Sequence, residues 1–461
     1  MIDQLPAEYS GELLPAIREE FLSLGKTLVV LDDDPTGTQT SYDVTVLTSW
    51  QVPLLVEELQ KKPSVLFILT NSRSLPEPAA VRLTLEIGQN LKEASQLSSQ
   101  EVVVISRSDS TLRGHFPAEV TALAQAMELG EAVWILLPAF IEGGRYTIND
   151  IHYLKEQGEW VPVANTPFAQ DKVFGYTHSN LKEWVEEKTK GQVKAAEVIS
   201  FSLEDIRLGG PEKIRQKLAT CHSGQVCIVN AASNKDLEVF AHGVLLAEKQ
   251  GQNFVYRSSA TFVPIRAGMA PGKVFKPEAR TENKHGSLVV VGSYVPKTTA
   301  QLEYLLKQKT HYPIEVNVPS LLQAPQASAT YATSIINQTN ELLAAETDVV
   351  IYTSRDLQTG QDAESNLRIN SLVSNFLVHI VQSLTVRPRF LVAKGGITSS
   401  DLATKGLQAE KALIMGQILP GVPVWKMDEK SKFPHLIYVV FPGNVGDHTA
   451  LAEAWKKLKG D

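Results

Sequence analysis

Short apolar, β-rich runs recur along the chain, and each gives way to a polar turn and then a longer helix-like stretch. The first of them read TLVVL (27–31), SVLFILT (64–70), EVVVIS (101–106) and AVWILLP (132–138). The rhythm returns at QVCIVNAA (225–232), SLVVVGS (287–293), DVVIYTS (348–354) and RFLVAKGG (389–396). A strand with one wet face would alternate apolar and polar residues. Near-continuous apolar runs instead suit strands buried on both faces of a parallel sheet. The intervening segments, such as PAAVRLTLEIGQNLKEASQL (78–97), have helical periodicity and enough length for crossovers. The expected class is α/β with largely parallel sheets.

A chain of 461 residues is too long for one ordinary core, so two domains are expected. The seam is PIRAGMAPGKVFKPEARTENKHG (264–286), which mixes prolines, glycines and charges without sustained apolar periodicity. The expected division is 1–264, a linker at 265–286, and 287–461. A net charge of -7 argues against nucleic acid as the main partner. Cys221 and Cys227 form no CxxC pair, so no structural zinc site is expected. The N-terminus lacks a basic-then-apolar signal pattern, and no apolar run approaches the roughly 18 residues that span a bilayer. A soluble, cytoplasmic protein is expected, with no membrane partner and with self-association as a homodimer left open.

Ligands of open parallel sheets gather beyond the carboxyl ends of the strands. In the first half those ends read DDDPTGTQT, NSRSLPE, RSDSTLRGHFP and AFIEGGRYTINDIHYL. Helix caps would explain single Ser, Thr or Asp residues there. They would not require Arg73, Arg107, Arg113 and Arg145 as well. Arginine forks match carboxylate or phosphate oxygens, and Asp beside Ser, Thr and Asn71 matches sugar-like hydroxyls. The combination suits a small, polyhydroxylated, anionic ligand. Three adjacent aspartates cannot all share one pocket. Strand alternation turns Asp32 and Asp34 away from Asp33, and Pro35 biases Asp34 to extended backbone. Asp32 is expected to be structural.

In the second half, SLVVVGS runs into YVPKTTAQLEYLLKQ, with Thr298 or Thr299 near a helix start that can receive an anion. Gly395 and Gly396 follow a strand and precede Thr398, with Asp401 expected to open a helix, and FPGNVGD (441–447) follows LIYVVF. Such turns let a ligand approach the backbone, and three of them suggest a nucleotide. There is no GxxxxGK[ST] loop, no GxGxxG after a strand and no protein-kinase motif set.

Taken in order, LDDDPTGTQTSYDVTVLT, TNSRSLPE, SRSDSTLRGHFP, LPAFIEGGRYTINDIHYL, VVVGSYVPKTTAQ, AKGGITSSDLATKGL and PGNVGD resemble the motifs of the four-carbon acid-sugar kinase family. The resemblance runs from about residue 27 to 447, and the DSTLRGH block is its most specific part. It implies an N-terminal substrate domain, a C-terminal nucleotide domain and an active site in the cleft between them. The implied reaction is ATP-dependent phosphorylation of the terminal hydroxyl of a threonate, erythronate or 3-oxo-tetronate, with Mg2+. Carried over, Asp33, Asp34, Thr36 and Gly37 match the family's Asp-Asp-x-Thr-Gly turn, and Asp109, Ser110, Thr111 and Arg113 its DSTxRG block. Ser293, Gly395, Gly396, Thr398 and Gly443 match its nucleotide contacts. Ile397 stands where the nucleotide loop often carries an acid, and Val295 where a second serine is common.

On this reading Asp33 or Asp109 accepts the proton of the attacking hydroxyl, and Arg113 holds the substrate carboxylate. A non-catalytic sensor of an acid metabolite or nucleotide is the competing expectation. A nicotinamide-dependent dehydrogenase is disfavoured by the missing GxGxxG fingerprint.

Overall fold

The computed structural model describes residues 2–156, 158–270, 272–277, 283–323, 328–355 and 363–460. The chain divides into two compact units, Met1–Pro271 and Gly272–Asp461. Among the described residues no helix is long and apolar enough to cross a membrane.

The first unit opens with strands β1 (Thr27–Asp32), β2 (Val44–Leu47), β3 (Val65–Leu69), β4 (Val102–Arg107) and β5 (Val133–Leu137). Three short strands follow, β6 (Arg145–Ile148), β7 (Ile151–Glu156) and β8 (Glu159–Pro162). The unit is completed by β9 (Ile199–Phe201), β10 (Val226–Val229) and β11 (Phe254–Ser258). Its main sheet runs β2-β3-β1-β4-β11-β5-β10-β9 and is parallel throughout. The expectation of a parallel α/β sheet from the apolar runs is met. Val29 and Leu31 of β1 and Leu66 and Ile68 of β3 pack with Ile87 and Leu91 of the helix Glu77–Ser98. That helix is the crossover read from its periodicity.

The register sets the site. Asp32 is level with Leu69 of β3 and Arg107 of β4, and Arg107 with Ser258 of β11. From β1 the chain goes on to β2 and β3 on one side and then to β4 on the other. The strand order therefore reverses at β1, which opens a crevice beyond its carboxyl end.

The stretch after β5, read as a loop, instead builds a separate antiparallel sheet, β6-β7-β8. Its strands are short and mostly half-buried, so no continuous apolar run marks them.

The second unit has β12 (Leu288–Val291), β13 (Tyr312–Val316), β14 (Val349–Thr353), β15 (Leu391–Lys394), β16 (Lys411–Leu419), β17 (Val422–Met427) and β18 (Ile437–Phe441). Their order is β13-β14-β12-β15-β18-β17-β16. Pairing is parallel from β13 to β18, and β17 and β16 add an antiparallel hairpin. β16 alternates buried and open positions along its length, so a search for runs buried on both faces passes over it. Here the order reverses at β12, between β14 and β15. Within the stretch read as linker, Val274 bridges to Gln417 of β16: the Phe275 N–H donates to Gln417 O at 2.7 Å and the Gln417 N–H donates to Lys273 O at 2.8 Å.

Candidate functional site

In the first unit the chain leaves β1 through a short 3₁₀ helix, Pro35–Thr40, capped by Asp34. Asp34 is extended, as Pro35 demands, and its Oδ1 accepts from the Thr36 N–H at 2.8 Å and the Thr36 hydroxyl at 2.5 Å. Asp32, fully buried, accepts from Arg107 Nη1 at 3.1 Å, while its Oδ2 has no partner. Burial pushes its carboxyl up to about 7 against the pull of Arg107. Gly37 lies against this carboxylate, where a side chain would collide. The pairing gives Asp32 the structural place expected of it. It also sets Arg107, expected to hold substrate, beneath the site with only 5% of its side chain exposed.

Asp33 and Asp34 do not part as strand alternation suggested, because β1 ends at Asp32 and both carboxylates reach Arg73. Arg73 Nη2 and Nε donate to Asp33 at 2.5 and 3.2 Å, and Nη1 donates to Asp34 at 3.3 Å. Ser108 Oγ also donates to Asp33. The Asp109 Oδ1 lies 3.9 Å from Arg73, and its Oδ2 accepts from Arg113 Nε at 2.8 Å and from the Thr111 hydroxyl. Burial opposes ionisation of Asp109, yet Arg73 and Arg113 hold its carboxyl well below the usual range. Asn71 stands at the mouth of β3 in a left-handed conformation, its N–H donating to Asp32 O at 3.4 Å. The structure thus draws Asp33, Asp34, Thr36, Asn71, Arg73, Asp109 and Arg113 into one cluster beyond β1, β3 and β4.

Arg113 is 25% exposed, more open than Arg73 at 16%. Its guanidinium lies 4.9 Å over the Phe168 ring, with Nη1 3.8 Å from Asp171 Oδ2. Arg145, on β6, donates to Gly143 O and lies within the fields of Asp109 and Arg113, its Nε buried and unpartnered. Ser110 and Thr111 are buried and lend their carbonyls to His152 Nε2 and the Tyr176 hydroxyl, each at 2.7 Å. His115 bonds Leu75 O at 2.9 Å, the ordinary fate of a loop histidine.

Four residues at the cluster, Arg257, Glu119, Phe168 and Asp171, are not among the site residues assigned from the sequence. Arg257, at the end of β11, donates to Arg113 O at 2.9 Å and keeps Nη1 buried and unpartnered. A Cβ at Gly114 would sit 2.8 Å from Arg257 Nη2 and 3.1 Å from Asp33 Oδ2, so only glycine lets this turn pass over both. The strand-end rule applied to β11 points to Arg257. Glu119 lies on the helix Ala118–Ala126 with its carboxyl raised by burial and by Asp33, and it carried no signal beyond a helical position. Phe168 and Asp171 come from a loop distant in sequence and had none.

His152 ties the cluster to β7. Its Nε2 faces a carbonyl and its Nδ1 faces the Thr147 hydroxyl at 2.9 Å, an arrangement that suits the neutral ring. Burial lowers its pKa to about 4. A histidine depressed in the folded state contributes stability that is complete above its unfolded value near 6.5. That contribution is lost as pH falls through the folded value. Thermal melts from pH 7 to about pH 4 should therefore show an acid loss of ~3 kcal/mol that His152→Gln reduces. Identical pH profiles for the two proteins would remove the assignment.

In the second unit the turns after β12, β15 and β18 converge. Gly395 has φ +122°, and a Cβ there would lie 2.9 Å from Ser293 Cβ. A Cβ at Gly443 would lie 2.9 Å from Ser293 Oγ. Thr298, on the helix Pro296–Lys307, donates to Gly443 O at 2.7 Å and to Ser293 Oγ at 3.2 Å. The Thr398 hydroxyl abuts Gly292. Ser293, Gly395, Gly396, Thr398 and Gly443 are thus brought together, while Ile397 points outward with 54% exposed. The helix begins at Gly396 and ends at Asp401, so Asp401 closes it rather than opening it. Among the described residues, no three His, Cys, Asp or Glu side chains are grouped as a metal shell.

Residues 28–265 match the sugar-binding N-terminal domain family and residues 288–451 the nucleotide-binding C-terminal domain family. The chain is 23% identical over 443 residues to a D-threonate kinase of Salmonella typhimurium, covering 93% of this chain and 97% of that one. It is 25% identical over 285 residues to a D-erythronate kinase of Heliobacterium modesticaldum, covering 60% of this chain and 59% of the relative. Crystal structures of a Haemophilus influenzae protein (TM-score 0.64, 17% identity, 93% of this chain and all of that one) and of a Salmonella typhimurium LT2 protein described as a tRNA synthase (TM-score 0.68, 16% identity, 94% and 99%) share the fold.

Proposed function

The chain belongs to the four-carbon acid-sugar kinase family, and on that footing we propose that it transfers the terminal phosphoryl group of ATP to the terminal hydroxyl of a four-carbon sugar acid. The observation that carries the reading is the arginine and aspartate cluster beyond β1, β3 and β4, with Arg113 its open cation. The substrate carboxylate pairs with Arg113, backed by Arg145 and the free donor of Arg257. Asp34, Thr36, Asn71 and Ser110 partner the hydroxyls of the tetronate on this reading. Asp33 or Asp109 receives the proton of the attacking hydroxyl.

The second unit takes the nucleotide. The Gly395 and Gly443 turns bring backbone close to Ser293, where a phosphate can meet N–H groups and hydroxyls. Mg2+ fits this reading as the nucleotide's own counter-ion, held by phosphate oxygens and water. Phosphoryl transfer asks for positioning and charge neutralisation more than covalent chemistry, and arginines with fixed partners supply both.

A coupled ADP-release assay over D- and L-threonate, D- and L-erythronate and 3-oxo-tetronates tests the proposal. One tetronate should stimulate ADP formation well above the ATP-only rate. A folded enzyme that responds to none of them loses the substrate class. The exposed Ile397, in a loop that often carries an acid in this family, favours a second reading as a sensor. Binding of ATP and a tetronate without ADP formation would establish the sensor instead.

A further inference from the structure

Lys394 ends β15 fully buried and joins the three turns of the nucleotide site. Its carbonyl accepts from the Gly292 and Ser293 N–H groups at 3.3 Å, and its Nζ donates to Pro442 O at 2.5 Å. The next residue, Gly395, donates its N–H to Phe441 O at 2.8 Å. The amine also lies 4.0 Å from the centre of the Phe441 ring. An ammonium has three N–H donors, and among the described residues only one is bonded to protein here.

Among the described residues no carboxylate faces this amine from the elements packed against it. β18 and its turn contribute the Phe441 ring and the Pro442 carbonyl, and the turn after β12 contributes uncharged groups. The helix Pro296–Lys307 contributes Lys297, a like charge. Burial first, and Lys297 second, lower the Lys394 pKa to about 6. A buried amine without a counter-charge is costly, and an apolar side chain would fill the same space. The partner that makes an ammonium favourable at this position is an anion docked on the turns in front of it. Arg355, which donates to Ser293 O, is a permanent charge at the same turn and cannot change its protonation.

We propose that Lys394 is a binding residue for the polyphosphate of the nucleotide, taking up a proton as the anion docks on the three turns. The inference rests on the nucleotide reading of the second unit. In the free protein the amine is neutral near physiological pH. With the anion in place, attraction across a low-dielectric wall restores the ammonium. Nucleotide binding is then coupled to proton uptake, which a lysine that only braced the turns would not produce.

Calorimetric titration of the full chain with MgADP at about pH 8, in buffers of different ionisation enthalpy, reads that proton directly, since ADP is fully ionised there. The wild type should take up nearly one proton per nucleotide. Lys394→Arg should bind without uptake, and Lys394→Met should bind at least ~10-fold more weakly, again without uptake. Wild-type binding with no proton uptake overturns the inference even if neither variant folds. So does uptake undiminished in Lys394→Met. A wild type that binds no MgADP would bring down the nucleotide reading, and this inference with it.

Discussion

Replacing Asp33 and Asp109 separately with asparagine is expected to lower tetronate-dependent ADP formation by about 10²- to 10⁴-fold in at least one case. The larger loss is expected at Asp33. Burial raises the proton affinity of Asp109, but Arg73 and Arg113 more than reverse that and hold its carboxyl well below the usual range. A carboxylate held that acidic takes a proton poorly. Asp33 is fixed by two Arg73 bonds and by Ser108, so its lone pairs are oriented without help from substrate. Asparagine keeps the shape of the side chain and removes its charge. Arg73 retains Asp34 and Asp109 in Asp33→Asn, so the fold should persist, which circular dichroism checks. Steady-state kinetics then separates a loss in kcat, expected of a proton acceptor, from a rise in KM, expected of a hydroxyl ligand. Near-normal rates in both variants would remove the carboxylate base from the mechanism.

Arg73→Met should be more damaging to the fold than either aspartate change. Arg73 is the shared partner of Asp33, Asp34 and Asp109, and without it three mostly buried carboxylates face one another. Breaking such a buried set by removing its cation costs about 3 to 5 kcal/mol. The pH dependence gives a second readout. Burial alone would raise Asp34 and Asp109, but Arg73, joined by Thr36 and Arg107 at Asp34 and by Arg113 and Thr111 at Asp109, outweighs it and both are lowered in the folded protein. Carboxyls lowered on folding contribute stability that is complete above their unfolded value near 3.9 and is lost as pH falls through the folded values. The variant lacks the share of that contribution that Arg73 supplies. Its deficit in denaturant unfolding should therefore be largest at neutral pH and narrow below about pH 4. A deficit under ~1 kcal/mol, or one that is constant with pH, would mean that Arg73 is not the hub of the cluster.

Much of the fold was legible because burial on both faces leaves a mark in sequence. TLVVL, VLFIL and VVVIS could be read as parallel strands from their unbroken apolar character alone. The strand-end rule then pointed to Asp33, Arg73, Asp109 and Arg113 before their contacts were known. Elements with one open face left a weaker mark. β16 alternates, β6 to β8 are short and half-buried, and all four escaped the same test.

By itself the sequence determined the α/β class, the ends of the strands where chemistry gathers, and the glycine turns that admit a ligand, because periodicity and backbone freedom are local properties. Tertiary structure alone decided how the charges are shared. Asp32 goes down to Arg107 while Asp33 and Asp34 converge on Arg73, since β1 stops one residue before alternation would have parted them. Arg257, Glu119 and Phe168 joined the cluster from distant segments, and Lys394 became a buried amine between three turns. Pair partners and desolvation depend on which chain segments meet in space, and no local pattern encodes that.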